Sequence, residues 1–182
     1  MPRQVHLFER PTRFVAGTVG QPGDRTFYLQ ASDDGRTVSV ALEKTQVQVL
    51  ADRMTELLDE VAGRVSAAIP PEADVDDLDP LTAPVDEEFR VAAMGLAWDG
   101  TAEAVVVEAV AATDEPIDED AILSDSDEGP DALRVTITPT AARAFIARAR
   151  RVVAAGRPPC PLCSLPLDPA GHVCPRQNGY RR

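Results

Sequence analysis

At two places along this chain, the spacing of the apolar residues changes from every second residue to every third or fourth residue. In the first half they alternate over residues 12–19, 26–31 and 37–42, and from about residue 44 to residue 67 they recur at helical spacing. Alternation is typical of half-buried strands, whereas recurrence at three and four is typical of an amphipathic helix. The sequence therefore predicts three strands and a helix within residues 1–71.

The second half follows the same order. Strands are predicted for residues 89–98, 102–111 and 133–137, with an Asp-Gly hairpin turn between the first two. A Thr-Pro pair then gives a helix cap and a proline at the first helical position, so a helix is predicted for residues 140–155. Both halves thus read as strand, strand, strand, helix.

The two halves also match at individual positions. A shift of 95 places brings residues 40–42 onto residues 135–137 and Leu50 onto Phe145. An internal duplication would explain this match. The predicted fold class is therefore α+β, with two tandem βββα halves and antiparallel sheets. The sheets would join edge to edge or pack through their helices.

Two acidic, proline-containing segments interrupt this pattern. Residues 72–88 carry eight acidic residues and no basic one, and residues 113–131 carry nine. Segments of this composition bury little apolar surface, so we expect a solvated linker and a mobile loop. The predicted domains are residues 1–71, the linker 72–88, residues 89–156 with the acidic loop 113–131, and a C-terminal knuckle and basic tail, 157–182.

All three cysteines of the chain and one of its two histidines lie within fifteen residues. Cys160 and Cys163 form a Cys-x-x-Cys pair, and His172 and Cys174 follow after eight intervening residues. Tetrahedral Zn²⁺ takes four sulfur or imidazole donors at about 2.0–2.3 Å, and a Cys-x-x-Cys turn supplies two of them. Four protein donors leave no open coordination position. The sequence therefore predicts a closed, structural Zn²⁺ site rather than a catalytic one.

Other interpretations of these cysteines are weaker. A redox Cys-x-x-Cys would lie between a strand and a helix, whereas this one follows a helix and lies among prolines. The Pro-Cys-x-x-Cys string matches half of the zinc deaminase signature, but its His-x-Glu half is missing. An odd number of cysteines leaves a disulfide scheme one thiol short. Thiols without a metal stay an alternative.

The C-terminal region is basic in a chain whose formal net charge is −12. Residues 132–182 hold nine arginines and one acidic residue. They could dock a protein partner, or neutralise phosphates of a nucleic acid while Tyr180 stacks on a base. A third interpretation pairs the arginines with the acidic segments of the chain itself. The candidate partner-binding residues are Arg143, Arg150, Arg151, Arg157, Arg176, Tyr180 and Arg181.

The sequence shows no recognisable catalytic constellation. His6 and Glu9 are a weak acid/base pair in a terminal arm, and no phosphate-cradling glycine loop or nucleophile elbow is visible. No apolar run approaches the ~18 residues that cross a bilayer, and the N-terminus lacks a signal peptide's apolar core. We expect a non-enzymatic, cytoplasmic regulatory or adaptor protein. An uncharacterised enzyme with a pocket between the halves is the alternative.

Three strings carry a resemblance: PRQVHLFERPTRFVAGTVG at residues 2–20, RTFYLQA at residues 25–31, and the closing CPLC…GHxCPRxNGY. They resemble a conserved actinobacterial family of unknown biochemical activity, the ParJ-like actinobacterial signature proteins. The likeness covers nearly the whole chain and brings no catalytic residues with it. It implies a chromosome-partitioning ATPase of the ParA type as a possible protein partner.

Overall fold

Seven strands and two helices form the body of the protein. A computed structural model describes residues 2–65, 68–167 and 171–177 of the chain. The expected α+β class is confirmed. The strands are β1 (Val5–Glu9), β2 (Arg13–Gln21), β3 (Asp24–Asp33), β4 (Arg36–Leu42), β5 (Glu87–Asp99), β6 (Ala104–Ala111) and β7 (Ala132–Ile137), and the helices are α1 (Lys44–Ala62) and α2 (Pro139–Ala154).

The strands form one mixed sheet in the order β1-β7-β6-β5-β4-β3-β2. Strands β2, β3 and β4 are antiparallel to one another, and so are β5, β6 and β7. The two antiparallel groups join edge to edge where β4 pairs with β5 in parallel, through an irregular register. The two predicted antiparallel sheets therefore form one mixed sheet by joining edge to edge, which is one of the two arrangements expected from the sequence.

The hairpin turns lie where the sequence places them. Gln21 pairs with Asp24 and Asp33 pairs with Arg36, so each connection has two residues at its tip. The second tip residue is a glycine at positive φ in both turns, 97° in the first and 77° in the second. Only glycine adopts this conformation at little cost. These glycines fix the register of both hairpins.

Strand β1 is a correction to the sequence analysis, which places residues 5–9 in a terminal arm. The strand pairs in parallel with β7 and closes that edge of the sheet. Within it only Phe8 is buried, at 1% exposure. The apolar side chains that alternate in this strand, Val5 and Leu7, are exposed, so the alternation in the sequence does not mark the buried face.

Each helix packs against a strand of the opposite half. Helix α2 contacts β2, and helix α1 contacts β5, while the two helices also contact each other. Phe145 of α2 stacks on Phe14 of β2 with ring centroids 4.8 Å apart. Offset or stacked aromatic pairs add to the stabilisation that burial itself provides. The two βββα halves therefore share one hydrophobic core.

The first acidic segment is mostly exposed to solvent, but part of it is also fastened to the body. We call residues 76–82 the strap. The Asp77 carboxylate accepts hydrogen bonds from Arg13 at 2.6 and 2.9 Å and from Arg148 at 3.0 Å. At the far end of the strap, the Thr82 amide donates to the Gln30 side chain at 2.8 Å. Ion pairs to β2 and α2 thus hold the strap against the body.

The second acidic segment is likewise mostly exposed and is also fastened to the body. It contains a short 3₁₀ helix, Glu119–Ala121, and Asp125 pairs with Arg134 at 2.6 Å. Ile122 lies so close to Gly95 of β5 that a Cβ at that position would collide with it. A glycine inside a strand can mark such a close approach. This loop therefore covers part of the sheet.

A buried carboxylate fastens β1 and the second acidic segment to the sheet. Glu108 of β6 is fully buried and accepts a hydrogen bond at 2.6 Å from each of two guanidinium groups, those of Arg3 and Arg134. It also accepts one from the Leu123 amide at 3.1 Å. The side chain of Arg3 is 2% exposed. Buried charges persist only when they are paired and hydrogen-bonded in this way.

Glu108→Gln is expected to lower the free energy of unfolding by about 3–5 kcal/mol, because two buried or half-buried guanidinium groups lose their counter-charge. The control is Glu56→Gln, which removes an exposed ion pair to Arg53 at 2.9 Å and should cost under about 1 kcal/mol. Urea denaturation of the two variants and the wild type measures both effects. Equal stability of the two variants would contradict the role assigned to Glu108.

The strap should loosen in acid. The hydrogen bond from Arg13 lowers the pKa of Asp77 in the folded protein, and burial opposes that shift. A carboxyl whose folded pKa is lowered stabilises the fold fully above its ordinary pKa of about 4, and this contribution is lost as pH falls through the folded value. The stability difference between wild type and Asp77→Asn, from denaturation at a series of pH values, should be constant above about pH 5 and shrink below about pH 4. A difference that does not vary with pH would overturn this assignment.

Candidate metal centre

The Cys/His cluster lies in a small hairpin after helix α2. We call residues 158–177 the knuckle, of which 158–167 and 171–177 are described. Pro159 and Pro166 form an isolated antiparallel bridge, and the Leu167 amide donates to the Pro158 carbonyl at 2.8 Å. Prolines cannot continue the helix, so the chain turns out of α2 at this point.

The tip of the hairpin is a tight turn that carries the Cys-x-x-Cys pair. The Cys160 amide donates to the Leu165 carbonyl, and the Ser164 amide donates back to the Cys160 carbonyl, both at 2.8 Å. Ser164 closes the turn with a positive φ of 62°. The turn therefore brings Cys160 and Cys163 to the same side.

The four predicted ligands converge on one point. The donor atoms of Cys160, Cys163, His172 and Cys174 all lie within 4.8 Å of one another. The Sγ atoms of Cys160 and Cys174 are 3.9 Å apart, and the Cys163 Sγ lies 3.3 Å from the His172 Nε2. Metal–sulfur bonds of about 2.3 Å in a tetrahedron place two sulfurs roughly 3.8 Å apart. The cluster can thus hold a metal ion, as its spacing in the sequence predicts.

The electrostatics of the cluster favour a bound cation. Backbone N–H groups of Leu162 and Cys163 lower the pKa of the Cys160 thiol to about 6. Burial raises the pKa of the Cys163 thiol, and the neighbouring Cys160 sulfur adds to the rise. Adjacent thiolates repel one another, whereas metal ligation requires each to be deprotonated. A divalent ion would compensate the charges that these sulfurs cannot all carry on their own.

Apolar side chains surround the cluster on its outer side. Leu162, between the first two cysteines, is 50% exposed, Leu165 is 49% exposed, and Val173, between the histidine and the last cysteine, is 79% exposed. Cys160 and Cys174 themselves are buried. The knuckle therefore covers its donors and presents apolar groups to solvent.

The candidate partner-binding arginines do not form one array. Three of them pair with carboxylates of the chain itself: Arg143 with Asp59 of α1 at 2.7 Å, Arg150 with Asp52 of α1 at 3.4 Å, and Arg151 with Asp76 of the first acidic segment at 3.1 Å. The last of these is a pairing with an acidic segment, the third interpretation of the sequence. Arg157 lies against Gly23, and Arg176 is exposed on the knuckle. Tyr180 and Arg181 lie outside the described residues. Arg157 and Arg176 are the described candidates nearest to the cluster in the sequence.

His6 and Glu9 do not form the acid/base pair that the sequence allows. Both lie on β1, where they pair with Leu133 and Thr136 of β7. Residues three apart on a strand point to opposite faces of the sheet. The two side chains therefore cannot act together on one substrate.

A further group of polar residues lies at the start of α1 and was missed by sequence reasoning. Lys44, the only lysine of the chain, lines a pocket there together with Arg25 and Arg90. These residues are far apart in the sequence, so no motif marks them. The isolated lysine in an arginine-rich chain is the one signal that could have drawn attention to this place.

The α+β body with its metal-binding knuckle can be compared with known proteins. A family model described as "Protein of unknown function (DUF3090)" matches residues 6–174, a range that contains every ligand of the cluster. The chain belongs to this family, and the expected family of unknown biochemical function is confirmed. Neither the curated proteins nor the solved structures gave a match. The actinobacterial, ParJ-like character stays a prediction.

Among the residues that the structure describes, neither helix combines the length and the apolar character needed to span a bilayer.

We expect purified protein to contain about one equivalent of metal, held by all four donors. Structural zinc sites contribute roughly 10–16 kcal/mol, so loss of one ligand of four should weaken binding on the order of 100-fold. His172→Ala should therefore lose its metal to a chelator at a much lower concentration than the wild type. His6→Ala, which removes the histidine on β1, is the matched control, and metal content is measured by mass spectrometry after titration with the chelator. Identical behaviour of the two variants would contradict a role for His172 as a ligand.

Proposed function

We propose that this protein is a non-enzymatic regulatory or adaptor protein whose knuckle, closed by a structural Zn²⁺, docks a protein partner. The observation that carries the proposal is the exposure of Leu162, Leu165 and Val173 around a Cys/His cluster whose first and last cysteines are buried. Apolar groups that stand out from a rigid centre are typical of protein interfaces. Four protein donors fill a tetrahedral ion, which supports a structural role for the metal rather than a catalytic one.

Zn²⁺ fits this donor set better than other common divalent ions. Three sulfurs and one imidazole nitrogen are soft or borderline donors, whereas Mg²⁺ and Ca²⁺ prefer oxygen. The knuckle buries few large side chains of its own, so ligation would supply the free energy that orders it. The shared core of the body would fold without the metal.

A chromosome-partitioning ATPase of the ParA type is the partner that we propose. The resemblance of the opening and closing strings to the ParJ-like proteins supports this choice. Binding to nucleic acid has less support, because Arg143, Arg150 and Arg151 already pair with carboxylates of the same chain. Phosphate contacts would have to break those pairs.

We also infer that the two βββα halves arose by internal duplication. Strands β4 and β7 end at Leu42 and Ile137, and both positions precede a helix by two residues. The offset of 95 that relates these two ends also relates the starts of the helices, Lys44 and Pro139. Buried helix positions such as Leu50 and Phe145 correspond at the same offset. One common offset for a strand end, a helix start and a core position supports a duplicated unit.

The double variant Leu162→Ser, Val173→Ser is expected to weaken binding to the ParA-type ATPase of the same host at least tenfold, because it removes apolar contact area. Val49→Ser is the control, since Val49 is 52% exposed on α1 and lies outside the knuckle. The dissociation constant is measured by binding of the ATPase to surface-immobilised wild type and variants. The metal content of the double variant shows whether it keeps its ion.

Two outcomes would count against the proposal in different ways. Equal binding by the double variant and the wild type would exclude the apolar rim of the knuckle as the docking surface. No binding of the ATPase by the wild type would exclude ParA as the partner. Affinity capture from the native host, with wild type beside Cys160→Ser, would then test whether any protein depends on the knuckle.

A further inference from the structure

A pocket of about 360 Å³ lies where the start of α1, the turn between β2 and β3, and the residues after α2 meet. We call it the basic pocket. Four cationic side chains line it, Arg25, Lys44, Arg90 and Arg157, against one carboxylate, that of Glu43. Arg157 has an interaction partner of its own, so three positive charges and one negative charge are counted, which give +2. This local excess stands out in a chain whose net charge is −12.

Arg25 is held in place by groups that do not neutralise it. Its guanidinium donates to the carbonyls of Val152 and Ala155, near the end of α2, at 3.3 and 3.2 Å. The same group lies over the Phe27 ring, 4.8 Å from its centroid. Carbonyl dipoles and an aromatic face orient a cation while leaving it a full positive charge. Arg25 is therefore a pre-oriented cation at the pocket wall.

Lys44 lies at an electrostatically unfavourable position. It is the first residue of α1, where the helix dipole places a partial positive charge that favours anions and disfavours cations. Its ammonium group makes no hydrogen bond or ion pair with the residues that the structure describes. The only lysine of the chain thus lies unpaired among arginines, and an anion in the pocket would remove this conflict.

Two glycines make room for the cations. A Cβ at Gly156 would lie 3.2 Å from the Lys44 ammonium, and a Cβ at Gly23 would lie 3.2 Å from the Arg157 side chain. Within the described ranges, the remaining cation, Arg90, is paired only with Glu43, at 2.7 Å, and both side chains are more than half exposed. Exposed pairs contribute little, so Arg90 can turn to a ligand at small cost.

We propose that the basic pocket binds the phosphate or pyrophosphate group of a small molecule. A charge excess of +2 calls for a ligand with more than one negative charge, and guanidinium and ammonium groups are the usual donors to phosphate oxygens. The start of a helix adds further positive potential. The volume lies at the lower end of the range for small-molecule sites, about 300–1,000 Å³. This inference does not rest on the docking role proposed for the knuckle.

The single lysine allows a site-specific test on the full-length protein. An amine-directed reagent modifies Lys44 and the N-terminal amine alone, and mass spectrometry of the two peptides reports each rate separately. Inorganic pyrophosphate should slow the modification of Lys44 several-fold relative to sodium chloride of equal ionic strength, while the N-terminal amine stays unaffected. Equal rates in the two salts would overturn the proposal.

Calorimetric titration with pyrophosphate supplies the second readout. Lys44→Gln and Arg25→Gln should each lower the affinity at least tenfold. Arg53→Gln is the matched control, because Arg53 is a 70% exposed arginine of the same helix outside the pocket. A loss of the same size in Arg53→Gln would show unspecific charge attraction and overturn the site. Tighter binding of a nucleoside diphosphate than of pyrophosphate would show that the pocket also recognises the organic part of the ligand. Equal affinity would show that it recognises the phosphate groups alone.

Discussion

Ion pairs between arginines and distant carboxylates decide how this acidic chain arranges its surface. Arg148 of α2 shows the principle most clearly, since its side chain is 7% exposed and donates to the Ala16 carbonyl of β2 as well as to the strap. Burial lowers the pKa of this guanidinium, and Asp77 offsets part of that cost. A buried arginine needs such acceptors. The strap therefore lies where α2 and β2 require negative charge.

The same requirement explains why the two acidic segments cover the body instead of extending into solvent. Asp76 and Asp77 of the first segment each meet a guanidinium group, and so does Asp125 of the second. The other acidic residues of the two segments are exposed. Repulsion among them is tolerated, since most face water, where screening is strong. One or two well-placed pairs thus order a segment whose composition alone indicates disorder.

The parts of the fold that sequence reasoning predicted are those set by local spacing. Hairpins follow from alternation and from glycines at two-residue turns, and the Cys/His cluster follows from ligands that lie within fifteen residues. Strand β1 and the strap were missed because their partners are remote: Arg3 meets Glu108 and Arg13 meets Asp77 across 105 and 64 positions. Composition gives the charge of such residues but not the partner that each will find.

The end of α2 connects the body to the knuckle. Its last carbonyls would be unsatisfied at a helix C-terminus, but Arg25 of β3 donates to two of them and so ties the helix end to the sheet. Gly156 and Arg157 follow at once and form one wall of the basic pocket. The knuckle thus leaves the body from a fixed point. A metal that orders the knuckle would therefore hold the apolar side chains at the rim of the knuckle in a fixed position relative to the sheet. With a flexible connection between α2 and the knuckle, the orientation of these side chains would be undefined.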